Sequence, residues 1–194
     1  MFDNSENKTK VELFIHAIAR TSSDDSQSVL LLKEKKGERI LPIITTYHKA
    51  VRMMAGSQIA EFMLLPMSPA DIGSQLMKKF GIRLTSVELT SLQDGKFICA
   101  VRAERDGEVQ SLDFCKAEDA LIMAISAGCP IMIDEKLLEA QYMHPTGENS
   151  FALNISTLSR QMLEDALKYA VENEKYEIAS RLRDELAKRN ATNA

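Results

Sequence analysis

Apolar residues change their spacing several times along this chain, and each change marks an element. Residues 11–19 (VELFIHAIA), 28–33 (SVLLLK) and 40–44 read as three strands, separated by a polar loop at 21–28 and by the KKGER turn at Gly37. Short polar turns between strands of this length predict an antiparallel meander. Pro42 has no amide to give to a ladder, which places its strand at an edge or a bulge. Residues 47–58 (YHKAVRMMAGSQ) lack a β-branched run and carry a Val51, Met54, Ala55 stripe, so a short helix ending near Gly56 is expected. A second helix is better marked. Ser68 can cap it, Pro69 suits its first position, and Asp71 lies beside its unpaired amides. Ile72, Leu76, Met77 and Phe80 line one face, and Gly81 can end it.

From residue 82 to 114 the period falls from about 3.6 to 2. Val87 and Leu89 alternate with Glu88 and Thr90; Phe97, Cys99 and Val101 alternate on the way back. Asp94-Gly95 and Asp106-Gly107 separate the runs, and such dipeptides suit type I′ hairpin turns, which need two residues at positive φ. A three-stranded meander is predicted, with Phe97 and Phe114 in its core. Residues 117–127 (AEDALIMAISA) form an apolar helix with Ala120, Leu121, Ala124 and Ile125 inward. Residues 130–133 form a short strand, and 134–140 begin another helix. This order of elements predicts an α+β fold: a mixed, largely antiparallel sheet covered by two or three helices.

Residues 143–155 (MHPTGENSFALNI) read as a linker, and beyond it the chain is helical. Residues 159–173 and 176–189 break at Glu174-Lys175, which predicts an antiparallel helical hairpin. Met162, Ala166, Tyr169 and Ala170 are expected to face Ala179, Leu182 and Leu186. The division is therefore 11–140 for the α+β body, 141–157 for the linker and 158–190 for the hairpin. A hairpin this small buries little core of its own, so it is expected to dock, pair or await a partner.

Composition narrows the function classes. The 24 basic and 28 acidic residues leave a formal charge of −4, which excludes a uniformly basic, nucleic-acid-coating surface. From Ser159 onward seven basic residues balance seven acidic ones, so the excess acid sits in the body. No apolar run is long enough for a membrane span, and the first ten residues (MFDNSENKTK) are polar; a cytoplasmic protein with no membrane partner is expected. Cys99, Cys115 and Cys129 form no CxxC pair and suit a reducing compartment. His16, His48 and His144 are scattered, with no metal-ligand spacing.

Residues 163–189 (LEDALKYAVENEKYEIASRLRDELAKR) resemble the UVR motif, the two-helix interaction segment of the excision-repair proteins UvrB and UvrC. The resemblance implies a protein partner met through the hairpin, with Tyr176, Ala179, Leu182, Arg183 and Leu186 as contact residues. Residues 29–43 (VLLLKEKKGERILPI), 85–107 (TSVELTSLQDGKFICAVRAERDG) and 119–139 (DALIMAISAGCPIMIDEKLLE) resemble the bifunctional nuclease family. That resemblance implies a compact α+β domain assembling into a homodimer or larger homo-oligomer. It also implies cleavage of DNA or RNA, with Mg²⁺ or Mn²⁺ if catalytic.

The carried-over site residues are Asp71, Glu118 and Asp119, with Asp71 and Asp119 as metal ligands, His48 as a general base, and Lys49 and Lys116 against phosphate. Each carboxylate is equally explained as a favourable charge in a first helical turn. This chain departs from the family where chemistry would lie. TTYHKAVRMM puts His48 and Lys49 where an acidic residue is expected, Pro69-Ala70-Asp71 replaces Thr-His-Asp, and Lys116-Ala117-Glu118-Asp119 replaces Arg-Pro-Ser-Asp. Two functions follow: a metal-dependent nuclease carrying a UVR arm, or a catalytically silent oligomeric scaffold that recruits a protein through the hairpin.

Overall fold

A computed structural model describes residues 9–20, 28–57, 67–147, 150–152 and 154–192. Two antiparallel meanders make up most of one seven-stranded sheet. The first consists of β1 (Lys10–Arg20), β2 (Ser28–Glu34) and β3 (Ile40–Thr45); the second of β4 (Arg83–Gln93), β5 (Lys96–Arg105) and β6 (Glu108–Lys116). A short strand, β7 (Ile131–Asp134), joins them, antiparallel to β1 and parallel to β4. The sheet is therefore mixed, in the order β3-β2-β1-β7-β4-β5-β6. Both Asp-Gly turns adopt the expected positive φ, 49° and 74° at Asp94-Gly95 and 53° and 84° at Asp106-Gly107.

Three helices pack over this sheet: α1 (Tyr47–Ser57) on β1 and β2, α3 (Ala117–Ala127) on β4 and β5, and α2 (Pro69–Lys79) against α3. A fourth, α4 (Glu135–Gln141), follows β7 and adds Leu138 to the core. Leu30, Leu32, Val87, Leu89, Cys99, Leu121 and Ile133 are central to that core. Val87 and Leu89 point inward, so Glu88 between them lies on the other face, where Lys10 and Arg102 hold it at 2.7 Å each.

Several faces differ from the sequence reading. The inward residues of α1 are Ala50 and Met53, rather than the Val51 and Met54 stripe, which is half-buried. In α2 the narrow face of Ala70, Ser74 and Met77 turns inward, because small residues allow close approach to α3. Ile72, Leu76 and Phe80 are consequently exposed. Phe97 is buried as expected, but Phe114, on a bulge of the edge strand β6, is 72% exposed. The region read as a linker contains paired strands, β8 (His144–Gly147) and β9 (Ser150–Ala152), followed by a 3-10 turn at Ile155–Thr157.

The C-terminal hairpin consists of α5 (Arg160–Glu172), capped by Ser159, and α6 (Tyr176–Thr192). Its seam is formed by Leu163, Ala170, Ala179 and Leu182, with Ala166, Leu167 and Leu186 around them. Tyr169, expected in that seam, is exposed instead. Among the described residues, no helix is long and apolar enough to cross a membrane.

Candidate functional site

Two of the three carboxylates singled out in the sequence, Asp71 and Glu118, meet the same helix, α1. Asp71, three residues after the Ser68 cap, completes a capping box: its Oδ2 accepts from the Ser68 amide at 2.9 Å and from the Ser68 hydroxyl at 2.5 Å. The same oxygen accepts from Arg52 Nε at 2.7 Å. Both partners are largely buried, with 13% and 17% of their side chains exposed. Burial alone would push the Asp71 carboxyl upward, but the Ser68 donors and the Arg52 guanidinium outweigh it and hold the group below its ordinary value.

Glu118 lies in the first turn of α3. Its Oε1 accepts from the buried Thr45 hydroxyl at 2.7 Å, and its Oε2 takes the Lys49 ammonium. Lys49 and Arg52 are three residues apart and so share one face of α1. That face clamps α1 to α3 through Lys49–Glu118 and to α2 through Arg52–Asp71. The Arg52–Asp71 pair borders a groove of 410 Å³ whose other wall is the C-terminal end of α3, from Ile122 to Gly128.

The remaining candidates do not join this cluster. Asp119 is exposed in the first turn of α3, about 100° around the helix from Glu118. His48 is exposed on α1, and Lys116 is the exposed cap residue of α3, without a side-chain capping bond. Among the described residues, no group of three or more His, Cys, Asp or Glu side chains is placed to hold a metal ion. The bonded donors do not fit a preformed Mg²⁺ or Mn²⁺ site. Such ions need several convergent oxygens, whereas Asp71 and Glu118 each already end on a protein cation. Sequence reasoning left Thr45 and Arg52 without a role. The available signal was the i, i+3 spacing of Lys49 and Arg52 ahead of two acid-bearing helix starts.

The hairpin separates its residues into two groups. Ala179 and Leu182 are buried against α5 and Leu186 is half-buried, whereas Tyr176 and Arg183 are exposed. Tyr176 is joined near the α5–α6 turn by exposed Tyr169, Val171 and Ile178. Lys175 lies 5.2 Å above the Tyr169 ring. At the opposite end the hairpin is anchored. Arg189, with 7% of its side chain exposed, donates to the carbonyls of Leu158 at 2.7 Å and Ser156 at 3.0 Å, and to Glu185 at 2.8 Å. Gly95, at the β4–β5 turn, allows the close approach: a Cβ there would stand 2.3 Å from the Leu158 oxygen.

An α+β body with a mixed sheet and a docked C-terminal helical hairpin is the class this architecture defines. Residues 30–146 match the bifunctional nuclease domain, and residues 155–188 match the UvrB/uvrC motif. The chain belongs to the bifunctional nuclease domain family and carries a UVR motif behind that domain. It is also similar to two Mycobacterium tuberculosis proteins, uncharacterized protein MT1877 of strain CDC 1551 / Oshkosh and uncharacterized protein Rv1829 of strain ATCC 25618 / H37Rv. Each is 29% identical over 121 residues, which cover 61% of this chain and 69% of the relative.

Proposed function

We propose that this protein is an oligomeric cytoplasmic scaffold that presents its UVR hairpin to a protein partner. The observation that carries this reading is the engagement of Asp71 and Glu118 by Arg52 and Lys49, which makes two candidate site carboxylates ties between helices. The exposed Tyr169, Val171, Tyr176 and Ile178 support it, since aromatic and aliphatic side chains grouped at one end of a docked hairpin suit a protein contact. Three free cysteines fit a reducing compartment.

Family membership favours a second reading, a nuclease acting on DNA or RNA with Mg²⁺ or Mn²⁺. Under it, exposed Asp119 is the carboxylate still available for a metal, His48 the base, and Lys49 and Lys116 the phosphate contacts. The two readings separate in a hydrolysis assay on fluorescent single-stranded DNA, duplex DNA and RNA with either metal. The scaffold reading expects cleavage no greater than in a metal-free control. Metal-dependent cleavage that disappears in Asp119→Ala would establish the nuclease instead.

A further inference from the structure

The two edges of the sheet are treated differently. At β3, Leu41, Pro42 and Ile43 are buried, Pro42 offers no amide, and the Ile40 carbonyl accepts from the Met143 amide at 2.8 Å. At β6 every residue but the half-buried Cys115 is exposed, and the strand contains neither proline nor glycine. Arg105 and Glu108 close the Asp106-Gly107 turn as a hydrogen-bonded pair, so by alternation Val109 and Ser111 direct their backbone groups away from β5. Val109 and Leu112 are bare on this strand, and a bulge sets Asp113 and Phe114 against Ala100. Phe114 is held there at a φ of 63°, an uncommon conformation for a bulky residue, and the bulge aims its ring at solvent. Beside the strand, Met77, Ile82, Ala103 and Leu112 line part of a groove of 560 Å³.

We infer that β6 is where two copies of this chain join, antiparallel across a two-fold axis near the middle of the strand, making one sheet continuous through both copies. The charge order within β6 selects a second copy in that orientation. Glu108 begins the strand and Lys116 ends it, so antiparallel pairing brings the acidic end of each copy to the basic end of the other. Parallel pairing would set like against like. The free backbone groups of Val109 and Ser111 supply the ladder, and the exposed Val109, Leu112 and Phe114 supply apolar area around it. This inference rests on the oligomeric part of the proposed function and gives that assembly a face.

Sedimentation of the full chain over a concentration series tests it, with Ser111→Pro, Glu108→Lys, Lys116→Glu and the double charge exchange alongside. Ser111→Pro removes an outward amide and leaves the bonds to β5. The wild type is expected at twice the 21.7 kDa chain mass and Ser111→Pro at the single mass, with unchanged circular dichroism. Each single charge change should weaken association by about tenfold or more, and the double exchange should recover it. Should Ser111→Pro fold poorly, the surface charge variants decide alone. A monomeric wild type overturns both this inference and the oligomeric reading. An oligomer indifferent to all four variants overturns the β6 face and leaves that reading standing.

Discussion

The body and the hairpin are held together on different scales. The body encloses one continuous core in which Leu30, Leu32, Leu89, Leu121, Ile133 and Leu138 are each at most 1% exposed. The hairpin encloses Leu163, Ala170, Ala179 and Leu182, too little apolar surface to stand alone. Its place is secured by its own Arg189, which holds the carbonyls around the 3-10 turn, and by the close approach of Leu158 to Gly95 of the body. The difference teaches how a small interaction arm can be fixed in position while its far end stays exposed. Docking consumes one end, and Tyr169, Val171, Tyr176 and Ile178 are left at the other.

The strongest blow to this comparison should fall on the body. Leu121→Ala empties a fully buried site and is expected to cost about 3 kcal/mol, read as a lowered midpoint of urea denaturation. Arg189→Met should cost about 2 kcal/mol, felt in the hairpin, because the Leu158 and Ser156 carbonyls lose a charged donor. Hydrogen exchange should then quicken across α5 and α6 while the sheet keeps its protection. Equal quickening in both regions would contradict the separation. Gly95→Ala combines a side chain at a φ of 74° with a clash on Leu158, and about 1–2 kcal/mol is expected, again read as hairpin exchange.

Smaller effects sharpen the account of the clamp. Asp71→Asn and Glu118→Gln should each lower stability by about 1 kcal/mol in thermal unfolding, since each weakens a charged tie between α1 and a neighbouring helix. The pH dependence has a definite sign. Arg39 holds the Glu34 carboxyl below its ordinary value; Asp71 and Glu88 are also lowered, their cationic and hydrogen-bonding partners outweighing burial. A carboxyl lowered in the folded state binds fewer protons there than when unfolded. The stability these groups contribute is therefore full above the ordinary carboxylate range, about pH 4, and is lost as pH falls through their folded values. Denaturation midpoints measured from pH 7 downward should hold to about pH 5 and then decline. Substituting Glu34, Asp71 and Glu88 by their amides should flatten that decline.

Local chemistry was legible in the sequence. The two Asp-Gly turns, the Ser68 capping box around Asp71, and the Glu174 break that takes a φ of 56° each follow from residues close in the chain. Pro42 marked an edge strand correctly. The insertion of β7 between β1 and β4 was not legible, because it joins segments far apart in sequence. Alternation assigns residues to faces without saying which strand ends the sheet, so Phe114 reads as core and proves exposed. The same limit applied to the site. Asp71 and Glu118 read as site carboxylates or as helix-start charges, and the third outcome, capture by Arg52 and Lys49, depends on how α1 lies beside α3 and reaches the start of α2.

The measurement that bears most directly on the central claim is a calorimetric titration of the full chain with Mn²⁺, beside Asp71→Asn and Glu118→Gln. With both carboxylates bound to α1 cations, the account predicts no saturable uptake in the wild type and no difference in heat between it and the two variants. Saturable binding near one ion per chain, lost in both variants, would contradict it and make those carboxylates ligands.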